Sequence, residues 1–373
     1  MGACDNKERK RHIIISEYKS RNNIIEKKTK KVMDDFEFKA VGFINIGNSC
    51  YMNSFLQILL HCPNFLYELK GIYQRHSFGN CLIKNIIDLS NSQYPYNKQY
   101  LYSIKECMKN ISDYGSFIQN DSQDFGKDLI NEIIVNIKKK EQDYSSSIYN
   151  NESDESEIID KKTKIDKYQK YINKYQGEET FIEKMFTINE CLYIYEEQNI
   201  TNIIFNTSFD ILLNFPKNKN KMYNEEYSLE KLLDLNYNNK NNNYMKKNKK
   251  NKKDKILKTT MTKLCKLPKI LMISIVRAIF KEDLIKSILY FPEFLDLENY
   301  IDKDLLNAHL NKTQYKLFAV NEHEGNDLNS GHYYCHIKIK NDWFLFSDEK
   351  VKKSKIKLSS VNVVGLFYKY IDK

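Results

Sequence analysis

The sequence predicts an α+β fold, with a helical first half and a second half built on an antiparallel sheet. Three observations carry that reading. Apolar residues recur at helical spacing from Val41 to about Val135. Short aromatic and β-branched runs, bounded by turn residues, take over from Cys191 onward. Between them, the acidic stretch Asn150 to Lys167 has neither period and reads as a surface loop. Segregated helices and strands pack as layers, and a cleft between the two halves is the natural place for a site.

Residues 1 to about 38 read as a charged flexible arm. Met1-Gly2-Ala3-Cys4, with Lys7, Arg9, Lys10 and Arg11 behind it, is a candidate myristoylation and palmitoylation start, because one acyl chain holds a membrane weakly and a second signal is needed. Asn6 departs from the Ser or Thr preferred there, and an unmodified tail is the alternative reading. Next comes Gly47-Asn48-Ser49-Cys50, where the first three are good helix-entry residues. Phe55, Leu56, Leu59 and Leu60 then form one apolar stripe, and Pro63 closes the segment. Cys50 therefore sits at a helix mouth, where the positive end of the backbone dipole favours thiolate, and it is expected to be unusually acidic.

Most free cysteines are inert, buried small hydrophobes. Cys50 is set apart by what lies far downstream: Gly331-His332-Tyr333-Tyr334, then Trp343-Phe344-Leu345-Phe346-Ser347-Asp348, a histidine and an orienting residue in cysteine-protease order. Other pairings fail on geometry. Cys335, three residues from His332 on a presumed strand, points to the opposite face. His336 shares the His332 face and has a structural or surface role, His323 shapes the preceding loop, and Cys62 lies past the middle of the helix.

A second clear helix starts at the cap Asp121-Ser122 and carries Phe125, Leu129, Ile130, Ile133, Ile134 and Ile137 on one face, so Gln119 to Phe125 places polar groups at a helix entrance. The strand candidates are Cys191 to Tyr195, Asn202 to Phe205, Phe209 to Phe215, Ile270 to Val276, Tyr315 to Val320, His332 to Ile339, Trp343 to Phe346 and Val361 to Tyr370. The longest apolar run, Ile270 to Val276, is far short of the roughly 18 to 20 residues that span a bilayer, so a soluble protein is expected. Eight cysteines without a CxxC pair argue against a disulfide framework and a zinc ribbon, and for a reducing cytoplasmic or nuclear compartment. The net charge of +10 comes largely from tracts such as Lys246-Lys247-Asn248-Lys249-Lys250. These lie in an Asn- and Lys-rich stretch, about 217 to 256, that reads as a low-complexity insert. Aromatics are not interleaved there, so no nucleic-acid partner is expected.

With these blocks assembled, the chain resembles the ubiquitin-specific protease family of papain-like cysteine deubiquitinases, the ubiquitin carboxyl-terminal hydrolases. Gly42 to Gln57 is similar to the family's Cys box almost position for position. Gln119 to Phe125 resembles its glutamine- and aspartate-containing box, Leu267 to Arg277 and Phe291 to Leu297 its palm strands, and Tyr315 to Val320, His323, Gly325, Gly331-His332-Tyr333 and Trp343 to Asp348 its His box.

The resemblance implies a catalytic domain over 39–373: a helical thumb to about 148, an acidic loop to about 178, then β fingers and an antiparallel β palm. It implies Cys50 as nucleophile, His332 as base, and Asn45 as an oxyanion-hole side chain. Ser347 takes the orienting place by position, where the family usually has Asp or Asn, with Asp348 in support and activity modest in consequence. Asp121, Gln123, Tyr51, Tyr333 and Gly331 are implied to hold the ubiquitin tail. No metal or cofactor is implied, because Cys191 has Ile194 where a CxxC partner would stand. The expected partners are ubiquitin and ubiquitinated proteins, handled by a monomer that meets membranes only if Gly2 and Cys4 are acylated. A ubiquitin-binding pseudoenzyme and a protease for another ubiquitin-like modifier are the alternatives.

Overall fold

A computed structural model describes residues 40–371, apart from 77–80, 117, 142–158, 176–178, 197, 217–224, 240, 245–256, 279–283, 307–312 and 326–329. The compact unit runs from Val41 to Lys373. The amino-terminal arm, with Gly2 and Cys4, lies outside the described residues, as do the acidic residues 150–158.

Helices α1 (Cys50–Leu60), α2 (Phe65–His76), α3 (Cys81–Asn91), α4 (Lys98–Met108) and α5 (Ser122–Glu141) come first. The single stripe expected of α1 understates its burial. Every residue from Cys50 to Leu60 is buried, because the helix is wedged between α5 and the palm sheet. Its polar side chains are bonded accordingly: Gln57 Nε2 donates to Val41 O (2.8 Å) and Ser54 Oγ to Tyr51 O (3.0 Å). Helix α5 begins where the cap predicts, with Asp121 Oδ1 accepting from the N–H groups of Gln123 (2.7 Å) and Asp124 (3.0 Å). Its predicted face, Phe125 through Ile137, is buried.

Two expectations are corrected here. The segment read as a loop to Lys167 is helical from Lys161 onward, as α6 (Lys161–Tyr175). Asp160 Oδ1 caps it by accepting from Thr163 N, and Tyr168 and Tyr171 dock on Phe205. A short helix, α7 (Phe181–Phe186), follows with a complete capping box at Thr180 and Glu183. The Asn- and Lys-rich stretch is likewise not an insert throughout. Strand β4 (Glu226–Ser228) and helix α8 (Leu229–Tyr237) lie within it, and Leu229, Leu232, Leu233 and Tyr237 are part of the palm core.

The fingers are an antiparallel sheet in the order β2 (Asn199–Ser208), β1 (Ile188–Glu196), β6 (Leu257–Lys266), β5 (Asn241–Tyr244). Cys191 and Cys265 are buried there as free thiols among Tyr168, Tyr193 and Ile203. Among the described residues no cluster of three or more His, Cys, Asp or Glu side chains stands ready for a metal.

The palm follows the order β13 (Lys350–Ser354), β12 (Asp342–Ser347), β11 (His332–Ile339), β10 (Gln314–Glu324), β15 (Val363–Tyr370), β7 (Ile270–Val276), β3 (Asp210–Asn214), and β9 (Phe294–Asp296) adds to β10. Its pairs are antiparallel except β3 with β7. A small sheet of β14 (Ser359–Ser360), β8 (Ile288–Tyr290) and β4 flanks it. Strand β7 is buried over almost its whole length, which is why its sequence is a continuous apolar run. Helix α1 lies against β10, β11 and β12, which brings Cys50 at its start to the backbone amide of Tyr333 near the start of β11.

Candidate active site

The chain enters α1 through two left-handed residues, Gly47 (φ 99°) and Asn48 (φ 46°). Asn45 steadies that turn: its Oδ1 accepts from Gly47 N (3.0 Å), Ser49 N (3.3 Å) and Ser49 Oγ (3.3 Å). The amide orientation is thereby set, and Nδ2 donates to Asp348 Oδ2 (2.9 Å). Cys50 follows as the first helical residue, 4% exposed.

The expected acidity of Cys50 is not what the structure gives. Burial pushes the thiol up from its ordinary 9.0, and the nearby Asp348 charge pushes it further. The N–H groups of Tyr333, Tyr51 and Cys50 itself oppose this without prevailing. A helix mouth favours an anion only as far as desolvation allows, and the sequence does not reveal how deep the helix lies. The sign is testable. Alkylation of Cys50 by iodoacetamide in the free protein should rise with pH to a midpoint above 9.0, and Asp348→Asn should lower that midpoint by removing a negative neighbour. A parental midpoint below 9.0 would contradict the first statement, and an unchanged or higher midpoint in Asp348→Asn the second.

His332 opens β11, next to the Tyr333 amide that meets the Cys50 sulfur. Its Nε2 lies 2.8 Å from Ser347 Oγ, and its Nδ1 lies 4.0 Å from Asp348 Oδ2. Asp348, turned into the left-handed region (φ 49°), is gripped on both oxygens: Asn53 Nδ2 donates to Oδ1 (2.8 Å) and Asn45 Nδ2 to Oδ2. Its carbonyl accepts from Phe43 N (2.9 Å), and Glu349 Oε1 accepts from Asn45 N (3.0 Å). Ser347 thus touches the imidazole directly, while Asp348 links the helix, the Asn45 turn and the histidine.

Asn53 and Glu349 were not singled out from the sequence. Asn53 had a signal, a carboxamide one helical turn after Cys50 in an otherwise apolar run. Glu349 had none, because its partner is set only by the tertiary fold.

Asp121, Gln123 and Tyr333 line a cleft of about 290 Å³ between α5 and the palm, together with Lys127, Arg277 and His323 among others. Asp121 keeps an exposed edge, but the packing around its carboxyl raises its pKa despite the capping N–H groups. Burial and the Asp121 charge hold the Tyr333 hydroxyl far above the usual phenol. Gln123 is 5% exposed, and its amide oxygen and nitrogen have no hydrogen-bond partner.

Tyr51 differs from expectation. It is fully buried against Phe125 and Tyr114, so its side chain belongs to the thumb core, and it serves the site through its backbone. His323 lies on β10 rather than in a loop, its ring 4.4 Å from that of Tyr333 and its Nε2 3.1 Å from Gln119 Nε2. His336 is tied to Glu322 (3.3 Å) and Ser354 (3.2 Å) away from the thiol, and Cys335 faces the core.

Gly331 has φ 146°, and a Cβ there would come within 2.5 Å of His323 Nε2 and 2.7 Å of Glu324 O. Gly331→Ala should therefore displace the start of β11 and lower kcat/KM by at least about tenfold, since small misplacements of reacting groups are costly. A variant with parental steady-state kinetics would show that the loop absorbs the methyl elsewhere.

A buried thiol that meets the Tyr333 amide, with the imidazole of the preceding residue held by a hydroxyl, fits a cysteine hydrolase of the papain-like class. The ubiquitin carboxyl-terminal hydrolase family model matches residues 41–368. Ubiquitin carboxyl-terminal hydrolase 4 of Arabidopsis thaliana is 26% identical over 342 residues, covering 83% of this chain and 84% of that protein. Ubiquitin carboxyl-terminal hydrolase 8 of Saccharomyces cerevisiae is 24% identical, covering 83% and 66%, and hydrolase 15 of the same yeast is 24% identical, with only 23% of its length covered. Among solved structures, the Ubp8-Sgf11-Sgf73-Sus1 SAGA DUB module superposes with a TM-score of 0.66 at 18% identity over 94% of this chain and 74% of that one. The chain belongs to the ubiquitin carboxyl-terminal hydrolase family, and it is a cysteine-type deubiquitinase with the thumb, palm and fingers of the ubiquitin-specific proteases.

Proposed function

We propose that the chain hydrolyses the isopeptide bond between the ubiquitin carboxyl terminus and lysines of other proteins through a thioester intermediate. The observation that carries this is the convergence of Cys50 and His332 around Asp348, with the cleft beside them. In the neutral imidazole, Nε2–H donates to Ser347 Oγ, which leaves Nδ1 to take the Cys50 proton. The sulfur attacks the terminal glycine carbonyl. The oxyanion meets the second Nδ2 hydrogen of Asn45 and the amide at the start of α1, and the imidazolium returns its proton to the departing lysine amine. Water then releases ubiquitin by the same steps. Asp348 stabilises the imidazolium and holds Asn45 on target.

In the cleft, Asp121 meets the arginines of the ubiquitin tail, and Gln123 offers its unpaired amide to the extended backbone. Gly331 and Tyr333 narrow the passage to glycine. The protein acts as a monomer in the cytoplasm or nucleus, with an amino-terminal arm over 1–38 ahead of the catalytic domain. Among the described residues no helix is long and apolar enough to cross a membrane.

The reading is tested with ubiquitin carrying a carboxy-terminal alkyne electrophile. A covalent adduct that disappears in Cys50→Ala is expected. Binding without an adduct in the parent protein would make it a pseudoenzyme, and preferential labelling by the probe of another modifier would replace the substrate.

A further inference from the structure

At the end of the palm remote from His332 lies a second cleft, of about 830 Å³, between α2, α7 and the ends of β7, β10 and β15. Glu324 of β10 pairs with His332, whereas the cleft is reached at Tyr315 of the same strand, roughly 30 Å away at strand rise. Its floor is apolar, formed by Phe181, Met185, Leu267, Pro268, Tyr315 and Tyr370. That floor is fixed by the sheet: Tyr315 is fully buried, with its hydroxyl bonded to Pro268 O (2.7 Å) and its ring edge-on to Tyr370.

The wall is strongly cationic, with five lysines against two glutamates. Lys266 is paired with Glu179, and Lys316 shares Glu293 (3.8 Å) with Lys338 (2.8 Å). Among the described residues no carboxylate pairs with Lys184, Lys269 or Lys369, and burial together with the Lys316 and Lys338 charges depresses the Lys369 ammonium. Like charges crowded beside an apolar floor cost free energy that an incoming anion relieves.

We propose that this cleft is a docking site for an acidic peptide segment of a protein partner, with an aliphatic or aromatic anchor against the half-buried Phe181 and Tyr370 and flanking carboxylates set against Lys184, Lys269 and Lys369. The site is spatially separate from the thiol and does not depend on the deubiquitinase reading, so a partner held there leaves the catalytic cleft open.

The test uses the full chain and a fluorescein-labelled peptide that alternates aspartate and glutamate with leucine and phenylalanine, read by anisotropy. Saturable binding is expected, weakened at least about tenfold in the double variant Lys269→Glu/Lys369→Glu and by a smaller factor in Lys269→Gln/Lys369→Gln. Labelling by the ubiquitin electrophile should be unchanged in both, which also shows that they are folded. Absence of saturable binding, equal binding by the charge-reversed variant, equal binding of a peptide with asparagine and glutamine in place of the acids, or displacement by an equal concentration of oligothymidylate would each overturn the proposal.

Discussion

His332→Ala should lower kcat for a fluorogenic ubiquitin amide by at least about 10⁴-fold while leaving KM within about threefold. The size follows from what Cys50 lacks. Burial, and after it the Asp348 charge, push its thiol up from the ordinary value, which favours the neutral form. In the proposed mechanism, proton removal by the imidazole makes the nucleophile, and the same imidazole later protonates the amine. Folding should be little affected, because the His332 side chain is 41% exposed and its bond is to a surface-edge hydroxyl. Two measurements decide the matter: the melting temperature should stay near that of the parent protein, and the ubiquitin-binding affinity of the variant should persist. Residual turnover above one per cent would mean that another group serves as base, or that the sulfur is already ionised and needs none.

The sequence was most readable where one physical pattern dominated. Strands β7 and β11 fall on the expected residues, the first because a strand covered on both faces must be continuously apolar, the second because β11 alternates burial with period two. That alternation is also why Cys335 could be dismissed beside His332. The reading failed where composition hid a pattern. Leu229, Leu232, Leu233 and Tyr237 have helical spacing, but the lysines and asparagines around them gave the whole stretch the look of an insert. Tyr168 and Tyr171 were overlooked in α6 for the same reason.

The fold gathers Cys50, His332, Ser347 and Asp348, each named from the sequence, around the Asp348 carboxylate, but the burial and charge at the thiol were not legible there. The acidity of Cys50 turned on burial and on a carboxylate almost three hundred residues away, and the position of Tyr51 turned on which face of α1 meets α5.

Asp348→Asn should reduce kcat on the order of 100-fold, and more than Ser347→Ala does, although the serine is the residue in contact with the imidazole. Both oxygens of Asp348 accept from carboxamide nitrogens, Asn53 Nδ2 at 2.8 Å and Asn45 Nδ2 at 2.9 Å. Replacing the carboxylate with an amide leaves one of those donors facing a second NH₂ group, so the grip on Asn45 or on Asn53 must open. Asn45 would then turn its donor away from the developing oxyanion, and the imidazolium would lose the Asp348 carboxylate at its Nδ1 edge. Asparagine is a fair replacement for the backbone because it tolerates the left-handed φ of 49°, where alanine adds roughly 1 kcal/mol of strain. Ser347→Ala removes one neutral hydrogen bond, worth about 1 kcal/mol, and leaves the Asn45 turn intact, so a loss nearer tenfold is expected. The comparison is made on kcat with melting curves in parallel. If Asp348→Asn keeps parental turnover while Ser347→Ala loses most of it, the serine alone orients the histidine and the Asp348 linkage is scaffolding for the β12–β13 turn.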